Sequence, residues 1–133
     1  MSLVNLGLLE GATLAATGGI AISFTPANGN GPNQLTVANA NEPDFRLRET
    51  AIFKASLPVQ QPNKEWSKDR RTFTLNVPVY DAITDTYDKV TVRIERVAPV
   101  FASPAVTAAT LNLALQAGFD ADVTAFWAAG SYA

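Results

Sequence analysis

From Val97 to Phe119 the chain carries no charged residue. Inside that stretch Ser103-Pro104 marks a helix start, with serine as the cap and proline at the first helical position. The helix predicted from Pro104 to about Gly118 is apolar on more than one side. Leu111 and Leu115 share one side, Val106 and Leu113 lie nearly opposite, and alanines fill the space between. A helix that merely covers a core shows a single apolar stripe. This one has neighbours on several sides.

A second helix is predicted from Asp120 to about Ala129, with Asp120 as cap, Asp122 near the positive dipole end and Gly130 as the stop. Val123 and Trp127 fall one turn apart beside Phe126. A helix this short does not hold alone, so its aromatics must dock. One chain offers too little surface for both helices, which argues for a dimer through Val106, Leu111, Leu113, Leu115, Phe126 and Trp127.

Ahead of the helices the pattern is that of strands. "GGIAISFTP" (18–26), the turn "ANGNGPN" (27–33) and "QLTVAN" (34–39) read as an N-terminal hairpin. "NEPD" (41–44) breaks the chain, and "FRLRE" (45–49) and "TAIFKASLPV" (50–59) then alternate. "QQPNKEWSKD" (60–69) is a polar connection whose Trp66 either packs beneath the loop or meets another subunit. In "RRTFTLNVPVY" (70–80), Phe73, Leu75, Val77 and Val79 point one way and Arg70, Thr72, Thr74 and Asn76 the other. "DAITDTYD" (81–88) is an acidic loop, and "KVTVRIERV" (89–97) alternates again. Strands first and helices last predict an α+β domain over 1–133. Its parts are the hairpin (1–40), an antiparallel meander with one apolar and one polar face (45–98), and two dimerising helices (103–130).

A chain of 133 residues suits one domain burying roughly two thirds of its unfolded surface. Charged residues are 17% of it, below the usual quarter, so some apolar surface is expected to have a partner. The net charge of −2 is unevenly spread. All ten Lys and Arg lie from Arg46 to Arg96 with seven of the twelve carboxylates, leaving that segment near +3 and the remainder near −5. A nearly neutral protein can thus present one basic face.

With no cysteine and no histidine, disulfides, thiolate metal sites, Cys or His nucleophiles and His acid–base chemistry are excluded. Ser103 has no activating base, and no glycine-rich phosphate loop is present. A structural protein without catalytic residues, metal or cofactor is expected. Asp81, Asp85 and Asp88 lack the alternation and central glycine of a calcium loop and read as turn carboxylates. The N-terminus lacks a basic n-region and is a poor signal peptide. The charge-free run is long enough for a bilayer, but Pro99, Pro104, Thr107, Thr110, Asn112 and Gln116 argue against a span.

"RRTFTLNVPV" (70–79), "YDKVTVRI" (87–94), "PVFASPAVTAATLNLALQAGF" (99–119) and the closing "GSYA" (130–133) give the chain a family likeness. In order and spacing they resemble the coat proteins of the small single-stranded RNA bacteriophages, the leviviruses. The likeness is strongest from about residue 50 onward and topological before it. It implies an N-terminal hairpin, a five-stranded antiparallel sheet and two C-terminal helices interlocking with a partner subunit. Two chains would form one continuous sheet, and the homodimers would assemble into an icosahedral capsid around the viral RNA. The location implied is the virion, with host bacterial cytoplasm during assembly.

The resemblance also implies roles for individual residues. The polar face becomes the RNA-facing inner surface, with Lys54, Ser56, Arg70, Thr72, Thr74, Asn76, Tyr87, Lys89, Thr91 and Arg93 as RNA-binding candidates. In the family such a face binds an RNA stem-loop and can repress translation through it. A tyrosine there stacks on an unpaired base while lysine and arginine meet phosphates. The loop bearing Asp81, Asp85 and Asp88 would make contacts between dimers. Departures are the threonines and asparagine where better-known members carry more lysine, a longer 60–69 connection, and a strand that continues past residue 94. The rival reading is a free-standing single-stranded RNA-binding module without shell assembly, although few aromatics can reach the face. An enzyme working only through carboxylates and lysine would require a pocket that a flat meander does not offer.

Overall fold

The structure is a computed structural model and describes residues 6–27, 30–63 and 65–130, with the side chain of Asp122 left aside. The Ser131–Ala133 part of the "GSYA" ending and the role expected of Asp122 lie outside the described residues. The chain divides into two compact units. One is the sheet within 19–100, and the other joins the segment up to Gly18 to the helices after Val100.

The sheet unit is an antiparallel meander with strands in chain order: β1 (Phe24–Pro26), β2 (Gln34–Asn39), β3 (Thr50–Ser56), β4 (Asp69–Asp81) and β5 (Thr86–Ala98). Each strand follows from alternating side chains, because a period of two puts one set on each face. The hairpin arms β1 and β2 belong to this same sheet, since β2 pairs with β3 from Gln34↔Lys54 to Ala38↔Thr50. β1 is shorter than "GGIAISFTP" predicts: Ile20 and Ile22 lie outside it, 96% and 53% exposed. The longest pairing joins β4 and β5, in register from Asp69↔Ala98 to Asp81↔Thr86. At about 3.4 Å per residue this ribbon is about 44 Å long.

Three further expectations are corrected. "FRLRE" alternates but is no strand: Phe45–Leu47 form a 3-10 turn. Asp44 intervenes, its carboxylate accepting from Arg46 N at 3.0 Å and its carbonyl from Leu47 N at 2.9 Å, and five alternating residues are too few to resist such a cap. The acidic loop is also tighter than 81–88. Asp81 closes β4, Asp88 lies within β5, and only Ala82–Asp85 turn, with Asp85 left-handed at φ 53°. Strand 50–59 stops at Ser56, and in the connection that follows, Gln60 pairs with Trp66, which is half exposed.

One face of the sheet is apolar, with Leu35, Val37, Ala51, Phe53, Phe73, Leu75, Val90 and Val92 following from the register. Phe53 and Phe73 pair ring to ring at 5.0 Å. At one end of this face Asp69 meets both Arg71 (3.3 Å) and Arg96 (3.6 Å), which stand directly opposite each other on β4 and β5. The carboxylate offsets a like-charge pair that would otherwise oppose the register.

In the other unit, α1 (Pro104–Gln116) begins as expected, Ser103 Oγ accepting from Val106 N. α2 (Thr124–Ala129) is shorter than predicted. A 3-10 turn at Ala121–Val123 precedes it, Val123 occupies its N-cap without a side-chain bond, and Gly130 ends it at φ 68°. Asp120 heads that turn through its carbonyl, which accepts from Val123 N at 3.1 Å. Val123 is the buried anchor, 3% exposed. Among the described residues no helix is long and apolar enough to cross a membrane.

Candidate nucleic-acid interface

The register places every RNA-binding candidate on one face. Directly opposed residues share a face, and three rows cross the strands: Gln34–Lys54–Thr72–Glu95, Thr36–Ile52–Thr74–Arg93 and Ala38–Thr50–Asn76–Thr91. Ser56 pairs with Arg70 at one end, and Pro78↔Lys89 and Tyr80↔Tyr87 continue the face at the other. Lys54, Ser56, Arg70, Thr72, Thr74, Asn76, Tyr87, Lys89, Thr91 and Arg93 therefore form one surface.

Its charge is lopsided. Lys54, Arg70, Lys89 and Arg93 face a single carboxylate, Glu95, so the strands contribute about +3 here. The opposite face, with Asp69, Arg71, Asp81, Asp88 and Arg96, comes to about −1. The basic excess read from the sequence is thus concentrated on one side of the sheet.

Two open grooves lie on this face and share Lys54 and Thr72. One of about 330 Å³ has Thr72, Thr74, Asn76 and Thr91 between Lys54, Lys89, Arg93 and Glu95. The other, about 480 Å³, lies between the 31–34 turn and Lys54, Ser56 and Arg70. Arg70 is only loosely engaged by Glu95 at 3.8 Å, while Thr91 donates its hydroxyl to Asn76 Oδ1 at 2.7 Å. The hydroxyls and amides suit sugar and base edges, and the cations suit phosphate.

Tyr87 is not a bare platform. Its ring lies 4.7 Å from that of Tyr80, tilted 36°, and the Arg46 guanidinium sits 4.5 Å from its centroid. Tyr80 donates to Asp85 Oδ1 at 2.6 Å, a bond that holds its phenol above the ordinary value of 10.0. Asp44 pairs with Arg46 at 3.2 Å, which lowers the Asp44 carboxyl and raises the arginine. Tyr80, Gln34, Glu95 and Arg46 were missed in the sequence. Tyr80 was accessible by carrying the Arg70–Asn76 alternation two steps further, whereas Arg46 gave no signal inside a stretch that reads as a strand.

The acidic-loop residues are engaged locally. Asp81 accepts from Ile83 N at 3.0 Å and Thr84 Oγ1 at 2.9 Å, which lowers its pKa, and Asp88 accepts from Lys89 N at 2.8 Å. Among the described residues no cluster of three or more acidic side chains is disposed to hold a metal.

Of the residues expected at a dimer contact, Leu111, Leu113, Leu115 and Phe126 are half-buried in the single chain. Val106 and Trp127 are 58% and 62% exposed. Trp127 nevertheless donates its indole N–H to Ala117 O at 2.7 Å and meets Phe126 edge-on at 5.1 Å.

A five-stranded antiparallel meander followed by two C-terminal helices is the RNA-phage coat-protein fold. The solved structure of the virus-like particle of bacteriophage GQ-907 is similar to this chain at TM-score 0.89 and 27% identity, over 99% of this chain and 100% of that one. The virus-like particle of bacteriophage AVE019 is similar at TM-score 0.66 and 12% identity, covering 97% and 98% of the two chains. That of Wenzhou levi-like virus 4 is similar at 0.66 and 18%, covering 95% and 86%; these two likenesses concern the fold alone. No family model and no curated protein matches the sequence. The levivirus coat-protein resemblance is borne out, and it extends over nearly the entire chain.

Proposed function

We propose that the protein is a capsid subunit that dimerises, assembles into an icosahedral shell and packages single-stranded RNA against the polar face of its sheet. The observation that carries the RNA assignment is the charge asymmetry of the sheet, four cations against one carboxylate on a face of hydroxyls and amides. Phosphates are attracted to such a face in a salt-dependent way. Likeness to virus-like particles supports the shell and a non-enzymatic role. Dimerisation is supported by β5, an edge strand of thirteen residues whose outer backbone groups have no strand beside them among the described residues, with Val90 54% and Val92 50% exposed. A long edge of this kind invites another strand. A stem-loop bound on the same face would give translational repression.

Electron microscopy of the recombinant protein, with its ultraviolet absorbance ratio, tests this. Closed uniform particles absorbing like nucleic acid are expected. A small soluble species without nucleic acid would overturn the shell and leave the free-standing module to be tested by RNA titration.

A further inference from the structure

At the Tyr80–Tyr87 end of the polar face three planar groups are in contact. Tyr80 and Tyr87 oppose each other across β4 and β5, and Arg46 lies against the Tyr87 ring. Arg46 is held there from its edge: Asp44 accepts from Nε and from Nη2, each at 3.2 Å, and from the Arg46 backbone N–H at 3.0 Å. Arg48 secures the same turn by donating from Nε to Glu42 O at 2.7 Å.

A carboxylate that grips a guanidinium through two N–H groups occupies its edge and leaves its flat faces free. The Arg46 guanidinium carbon lies over the Tyr87 ring, 4.5 Å from its centroid, and the side chain remains 54% exposed. The charge is already partnered, so Arg46 is poorly suited to anchor a phosphate. A flat guanidinium is, however, a surface on which unpaired bases stack.

We propose that this cluster is a base-binding site whose RNA-contacting surface is the exposed side of the Arg46 guanidinium, backed by Tyr87, which is in ring contact with Tyr80, and with Asp44 as its positioning residue. The ligand class is an unpaired base of single-stranded RNA, because a paired base has no free face to offer. The inference rests on the reading of this sheet face as RNA-facing and adds to it a residue outside the strands.

The test is a titration of the full-length protein, freed of packaged RNA and kept unassembled, with a short oligoadenylate and with a blunt RNA duplex carrying the same number of phosphates, each across a range of salt. Arg46→Ala is expected to weaken oligoadenylate binding about tenfold, the order of one lost stacking contact, with duplex affinity and salt slope unchanged. Arg46→Lys keeps the charge but not the plane and is expected to behave like Arg46→Ala. It also keeps the test decisive if the alanine variant folds poorly. A lysine variant that binds like wild type, or an alanine variant that loses both RNAs alike with a shallower salt slope, would overturn the proposal while leaving the RNA face intact. Wild-type protein that binds neither RNA would overturn both.

Discussion

Gln116 and Leu9, far apart in sequence, are joined by two hydrogen bonds. Leu9 N donates to Gln116 Oε1 at 2.8 Å, and Gln116 Nε2 donates to Leu9 O at 2.7 Å. The side-chain amide thus does for Leu9 what a neighbouring strand would do. One turn earlier on α1, Asn112 Nδ2 donates to Ala12 O at 2.7 Å, while its Oδ1 accepts from Gln116 Nε2 at 2.8 Å. The N-terminal segment is held along the last turns of α1 by two amides at i and i+4.

Gln116 is 4% exposed, so its bonds are costly to lose. Gln116→Ala is expected to lower stability by about 1–3 kcal/mol, read as a lower urea midpoint at an unchanged slope. A loss of only a few tenths would show that water replaces the amide.

The half-buried leucines of α1 bear on assembly. Leu111→Asp or Leu115→Asp is expected to abolish the proposed dimer, because it would set an unpaired charge in the apolar contact proposed for α1. Size-exclusion chromatography reads this directly. A stable soluble dimer of either variant would exclude α1 from the interface.

The basic face predicts a separation of assembly from RNA uptake. Arg70→Ala combined with Lys89→Ala is expected to lower packaged RNA while particles still form. The salt slope of single-strand binding should fall by roughly 0.7 for each phosphate contact removed. Unaltered RNA content would remove this face from the RNA-binding surface.

Tyr80 supplies a pH signature. Its hydrogen bond to Asp85 favours the protonated phenol and raises its pKa above the ordinary 10.0. The stability this bond contributes is therefore complete below that ordinary value and is lost as pH rises through the raised one. Ultraviolet difference titration is expected to show a tyrosine that ionises late, and Asp85→Ala should return it toward the ordinary value. An unmoved titration in the variant would mean that the bond is not formed in solution.

Which side chains share a face of the sheet was legible from the residues alone. Alternation has a period of two, so Arg70, Thr72, Thr74 and Asn76 had to point together whatever β4 paired with, and so did Tyr87, Lys89, Thr91 and Arg93. The start of α1 was equally local, since Ser103 caps through a bond three residues away. At "FRLRE" a competing local bond misled: the stretch turns because the Asp44 side chain takes the Arg46 N–H.

Only the tertiary structure decided the partners. Tyr80 faces Tyr87 because of the β4–β5 register, Arg46 reaches that ring from a turn outside the strands, and Gln116 finds Leu9 across most of the chain. The direction of a side chain follows from its neighbours in sequence, but its contacts follow from which distant segments the fold closes together.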